Sequence, residues 1–258
     1  FKLRMSALAA TKNFQDMKNE LSNAPAISMR WKLTISARVH AISGEFEKSA
    51  EALDQLLSEL DKNTRLILST CRYLEASGDI RSLCHLLKRL VDEPGIKQHA
   101  LEKLLEYHGA SAPLEDLMLW IGKLRGIHPE DPKLLNAELY FGLLDTENTK
   151  ETIERITSRA GELHAKHSGH SYKITVALAH LLNENPDKAL LALGNPAEWR
   201  NFRETRPAWT FICAQTLRLN QKTQRAISLE EGLSIENMDR AERNALASLF
   251  PNTFPKSR

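Results

Sequence analysis

The sequence is poor in the residues from which binding and catalytic chemistry is most often built. Three cysteines, Cys71, Cys84 and Cys213, stand in 258 residues, and none has a metal-ligand spacing to another. Neither a zinc module nor a disulfide framework is therefore expected. Cys71 and Cys84 flank Gly78 and could face each other across a hairpin, but the expected role is that of small buried apolar residues. Aromatics make up only 6% of the chain, and no β-rich run appears. Neither sign of charge prevails: 35 basic residues oppose 33 acidic ones, giving +2 and a pI near 8.4. That balance lacks the footprint of a nucleic-acid or membrane-surface binder. The longest apolar stretch, near Ile174 to Leu182, is interrupted by His180 and falls far short of the roughly 20 residues a membrane helix needs. There is no Gly-rich phosphate loop, nucleophile elbow or His-Glu zinc helix, and no carboxylate pair set apart from ordinary helix surface. No catalytic residue, cofactor or metal is assigned, and an enzyme is not expected.

What the chain does have is repetition. In residues 64 to 94, Ile67, Cys71 and Leu74 fall on one face of an amphipathic helix. Gly78 stops that helix, because glycine adopts the left-handed conformation that closes a helix end. Asp79 then caps a second helix with the stripe Ile80, Leu83, Leu87, Leu90 and Val91, before Pro94. A step of 34 residues toward the N-terminus turns Gly78-Asp79-Ile80 into Gly44-Glu45-Phe46, and the stripe into Leu33, Ala37 and His40. The same step forward gives Leu101, Leu105 and His108 ahead of a turn at Ala112-Pro113-Leu114. Later copies drift. The first inward residues of the second helices, Ala50, Cys84, Met118, Ile153, Ala189 and Ala226, are separated by 34, 34, 35, 36 and 37 positions.

Further along, Asp131-Pro132 predicts a helix over Leu134 to Leu144, and a longer partner from about Thr149 carries Ile153, Ile156, Ala160 and Leu163. That partner ends in His164, His167 and His170, which are read as a solvated terminus rather than a metal site, since no Cys or carboxylate completes one. Asn185-Pro186 opens a short helix closed by Gly194. The connector after it mixes Trp199 and Phe202 with Arg200, Arg203 and Arg206. Such a mixture can stack bases, clamp an acidic peptide or cover exposed core. Asp239 to Glu242 reads as a capping box for a last helix with Ala245, Leu246 and Leu249.

A 34-residue helix-turn-helix period, together with GEFEKSAEAL at 44 to 53 and AWTFICAQTLRLNQKTQRA at 208 to 226, resembles the tetratricopeptide repeat family. In the second segment Trp209 stands at the family's aromatic position, Cys213 at its small helix-contact position and Asn220 at its turn glycine. Ala37 and Cys71 also match the small position, whereas Leu105 departs from it. The resemblance implies an all-α, right-handed superhelical solenoid of antiparallel helix pairs, with about six repeats and a C-terminal capping helix. A single domain over 1 to 258 is expected: a partial repeat at 1 to 24, repeats over 26 to 235, and the cap at 239 to 250. The start inside a repeat suggests a fragment of a longer protein, with targeting information outside it. A cytoplasmic location is the expectation.

The resemblance further implies a non-enzymatic scaffold whose first helices line a groove for a partner protein or peptide. The groove positions of the three regular copies are Trp31, Thr34 and Arg38, then Arg65, Leu68 and Arg72, then His99, Glu102 and Glu106. Trp31, Arg38, Arg65 and Arg72 would suit a partner with an acidic segment, and Glu102 and Glu106 would turn the third copy acidic. Against this, the arginines could be a solvated face pairing with Glu75 or Glu45. Thr34 and Leu68 replace the Lys and Asn with which some family members clamp the acidic C-terminus of cytosolic chaperones, so that activity is not expected. Two other readings are a spacer module, whose open N-terminal end would self-associate, and an RNA-binding repeat, which the neutral charge disfavours.

Overall fold

The computed structural model describes residues 8, 13–24, 27–60, 63–195, 199 and 205–255. Among them the chain is all-α, with 14 helices that pack mainly against their neighbours in sequence. Contacts divide it into two compact units, Phe1–Tyr107 and His108–Arg258. No helix among the described residues is long and apolar enough to cross a membrane.

Unit 1 contains α1 (Phe14–Ser22), α2 (Met29–Ile42), α3 (Phe46–Leu60), α4 (Thr64–Ala76) and α5 (Ile80–Leu90), and α6 (Lys97–His108) closes it. The stripe read from α4 is buried as a set: Ile67 and Cys71 are each 2% exposed and Leu74 is fully covered. Asn63 and Asp79 cap α4 and α5 by accepting from the backbone N–H of Leu66 and Ser82. α5 stops at Leu90, ahead of Pro94, because a turn over 91 to 96 intervenes. α1 lays Met17 against Val39 of α2, with Phe14 and Ile35 beside them.

The turns share one backbone geometry. The N–H of Glu45 donates to the His40 carbonyl at 2.8 Å, and that of Asp79 to Leu74 at 3.0 Å. Gly44 and Gly78 precede these donors with φ of 81° and 72°. This is the closure in which a left-handed residue lets the next N–H reach back five positions to an orphaned carbonyl. Unit 2 repeats it, with Asn185 donating to His180 at 2.8 Å and Lys222 to Leu217 at 2.9 Å. There the left-handed residues are Glu184 and Gln221, at 56° and 61°. The turn position expected at Asn220 therefore belongs to Gln221. Asn220 is the helix's C-cap, and its amide donates to the carbonyls of Thr216 and Pro186, both at 2.8 Å.

Unit 2 comprises α7 (Leu114–Ile127), α8 (Pro132–Leu143), α9 (Lys150–Lys166), α10 (His170–Leu182), α11 (Pro186–Leu193), α12 (Pro207–Leu219), α13 (Thr223–Glu230) and α14 (Arg240–Leu249). α9 is the longer partner expected from the sequence, and Thr149 caps it. α10 and α12 are covered almost all round: Ile174 to Ala179 are all buried, as is every residue from Pro207 to Leu217 except Trp209. A helix apolar on every side is an interior layer, flanked on both faces. α14 adds Ala245 and Leu246 to the same core, and Phe250 and Phe254 meet Phe211 edge-on at 5.8 and 5.1 Å.

A constant shift misplaces two second-helix residues. Met118 is 37% exposed, and Leu117, Trp120, Ile121 and Leu124 form the buried face of α7. A 3-10 turn at Gly109–Ser111 precedes α7 and resets its phase. In α3 the inward residue is Ser49 rather than the half-buried Ala50, because the Ser49 and Ser82 hydroxyls meet at 3.4 Å where α3 and α5 pack. In α6 the large Leu105 is half-buried at the small-residue position, and Leu104 takes the interior.

All three cysteines are free and buried. Burial pushes the Cys71 thiol up to about 12 and raises those of Cys84 and Cys213 as well. They act as small apolar residues.

The turn geometry predicts stability changes of opposite sign. Gly78→Ala puts a side chain on a left-handed backbone and is expected to destabilise by about 1 kcal/mol, while Gln221→Gly relieves the same strain and stabilises by a similar amount. Urea unfolding followed by circular dichroism measures both.

Candidate functional site

Of the aromatic and cationic residues read from α2 and α4, Trp31 and Arg38 both reach Tyr73 of α4. Trp31 meets Tyr73 edge-on, with ring centroids 5.2 Å apart, and Arg38 Nη1 reaches the Tyr73 hydroxyl at 3.5 Å. The guanidinium of Arg30 lies 4.6 Å from the centre of the Trp31 ring and donates to the Ser69 hydroxyl at 3.3 Å. Arg65 and Arg72 are exposed. Glu45 and Glu75, the carboxylates read from the sequence as partners for these arginines, are held by other groups. Glu75 accepts from the Tyr107 hydroxyl at 2.5 Å and from Lys103 at 2.9 Å, and those hydrogen bonds lower its carboxyl below the usual range. Glu45 is bound by Lys18, Lys48 and His40, which bring it down to about 2.

Glu106 pairs with Lys103 at 3.0 Å, and exposed Glu102 accepts from Gln98 at 2.8 Å. Thr34 does not face a groove. It is fully buried, and its hydroxyl donates to the Arg30 carbonyl at 2.8 Å.

Trp199 is a core residue, 1% exposed, with its indole N–H on the Leu193 carbonyl at 3.3 Å. Arg200, Phe202 and Arg203 lie outside the described residues. α9 ends at Lys166, so His164 is helical, His167 is its C-cap stacked on Tyr172, and His170 begins α10. Among the described residues no group of three metal-binding side chains converges.

The residues that the sequence reading missed lie in unit 2. One more step of 34 from the groove set His99, Glu102 and Glu106 marks Lys133, Asn136 and Tyr140 on α8, and these line a cleft of about 310 Å³. α10 contributes Ser171, Tyr172 and Thr175, α12 and its N-cap contribute Trp209 and Arg206, and α14 contributes Glu242 with its N-cap Asp239. The Tyr140 hydroxyl donates to Glu242 Oε1 at 2.7 Å across 102 residues of chain. Burial pushes the Glu242 carboxyl from its ordinary 4.5 to about 7 and lifts Asp239 too; Arg206 pulls both down only in part. Tyr140 is raised well above its ordinary value by burial and then by Glu242. The capping box is thus incomplete, for the Asp239 side chain accepts no capping hydrogen bond.

Comparison with known protein families, curated sequences and solved structures finds no match for this chain.

The two carboxyls give stability slopes of opposite sign. The unfolded chain releases the Glu242 proton near 4.5 and the folded chain near 7, so this contribution is present at low pH and is lost as pH rises through about 7. Glu45 contributes above its ordinary value, and its share is lost as pH falls toward about 2. Unfolding midpoints measured between pH 5 and 8 are expected to fall less steeply with pH in Glu242→Gln than in the parent chain.

Proposed function

We propose that this chain is a tetratricopeptide-like superhelical repeat, non-enzymatic, that holds a protein or peptide partner carrying an acidic segment against the first helices of unit 1. The repeated turn closure at Gly44, Gly78, Glu184 and Gln221 supports the repeat architecture. The observation that carries the partner reading is the state of the arginines. Arg38, Arg65 and Arg72 lie on helices that also present Trp31 and Tyr73, while Glu45 and Glu75 are engaged by Lys18, Lys48, His40, Lys103 and Tyr107. A guanidinium with no carboxylate partner among the described residues offers paired donors to one brought by a partner, and the adjacent rings add apolar area.

The site would comprise Trp31, Arg38, Arg65 and Arg72, with Glu102 and Glu106 setting the register at its far edge by repelling acidic residues. Binding of this kind weakens with salt, because exposed charge pairs are screened.

Fluorescence anisotropy with a labelled Glu/Asp-rich peptide tests the reading. The parent chain is expected to bind it with an affinity that falls as salt rises, and Arg38→Glu combined with Arg72→Glu is expected to cost about tenfold or more, on the order of 1.5 kcal/mol for lost charge-assisted bonds. Unchanged affinity and unchanged salt dependence in the folded variant would sink it.

A further inference from the structure

The cleft of unit 2 is built differently from the arginine surface. Its floor carries the carboxyls of Asp239 and Glu242 and the amide of Asn136, and its walls include the rings of Trp209 and Tyr172. At about 310 Å³ it is at the small end of the range for ligand sites. Two polar side chains there make no side-chain hydrogen bond to another described residue. Asn136 is 7% exposed, lines the cleft, and makes no side-chain hydrogen bond with another described residue. Asp239 stands at the N-cap of α14, yet its carboxylate does not cap the helix and accepts no hydrogen bond from the described residues.

Of the cations already present, Arg206 lies over the Trp209 ring, 5.3 Å from its centre, and its charge acts on both carboxyls without a direct ion pair among the described residues; Lys133 is exposed. Arg206 also shows that a guanidinium fits against this ring.

We infer that the cleft is a binding site for an organic cation, an ammonium or guanidinium group, which Asp239, Glu242 and the Asn136 carbonyl accept while Trp209 and Tyr172 flank it. The carboxylates supply charge, the amide supplies a further acceptor, and the rings, with Arg206 over Trp209 and His167 stacked on Tyr172, supply apolar walls. A ligand cation would also favour the ionised form of Glu242, as the Tyr140 hydroxyl and Arg206 already do, against burial and the Asp239 charge; Lys133 lines the cleft with them. The inference is independent of the acidic-partner reading, since every residue it uses lies in unit 2.

Ligand-observed saturation-transfer NMR and calorimetry on the full chain test it, with butylammonium and butylguanidinium ions as probes. Butyramide serves as the neutral control and butyrate as the anion. Both cations are expected to bind, and Asp239→Asn with Glu242→Gln is expected to weaken them at least tenfold; circular dichroism and thermal midpoints establish that the variant is folded. Asn136→Ala, which leaves the charges in place, is expected to weaken them severalfold. A short peptide with a central Lys or Arg that binds more tightly than the free ion identifies a polypeptide as the source, whereas preference for the free ion identifies a small amine, and either supports the site. No cation binding, equal or tighter binding of butyramide or butyrate, or undiminished cation binding by the folded double variant overturns it.

Discussion

One backbone hydrogen bond, reaching back five residues from just beyond a helix end, reverses the chain at four of its turns. It links Glu45 to His40, Asp79 to Leu74, Asn185 to His180 and Lys222 to Leu217. Because donor and acceptor are both main-chain groups, the closure survives replacement of the side chains around it. In unit 1 glycine supplies the left-handed residue at no steric cost. In unit 2 Glu184 and Gln221 are held there by their surroundings: Asn183 and Asn220 tie the adjoining caps to Thr157 and Pro186. The burial of α10 and α12 on every side over-determines the geometry, as persistence of a strained residue requires.

A turn fixed in this way leaves the exposed positions of each first helix free to differ. Unit 1 uses them for arginines beside Trp31 and Tyr73, and its nearby carboxylates are satisfied by lysine, histidine and tyrosine donors. In unit 2 the corresponding positions hold the buried Asn136 and Tyr140, which line one cleft with the carboxyls carried by α14 and its cap. Partial burial reverses the electrostatics. Glu45 is driven down by its cations, while Glu242 is driven up by lost solvent despite the Tyr140 hydrogen bond.

Much of the architecture was legible because helical periodicity is local. Ile67, Cys71 and Leu74 announced their face, and Asp79, Asp131 and Thr149 announced helix starts, where their side chains accept capping hydrogen bonds. Errors arose where one copy was laid on another. Met118 and Thr34 are out of phase because a 3-10 turn and a neighbouring helix alter which side is covered, and periodicity within a single helix does not register either. At the candidate site, counting picked out Trp31 and Arg38, which both reach Tyr73. Lys133, Asn136 and Tyr140 required only the next count, whereas Glu242 reaches Tyr140 across 102 residues, and no local signal joins them.

The three thiols become a clock when time is considered rather than structure. A buried, protonated sulfur hardly reacts with a maleimide, so labelling proceeds at the rate at which its surroundings open. Cys71 and Cys84 belong to unit 1 and Cys213 to unit 2. The native sequence therefore contains separate reporters for the opening of each half, and the order in which they take up label would reveal whether the two units breathe together or apart.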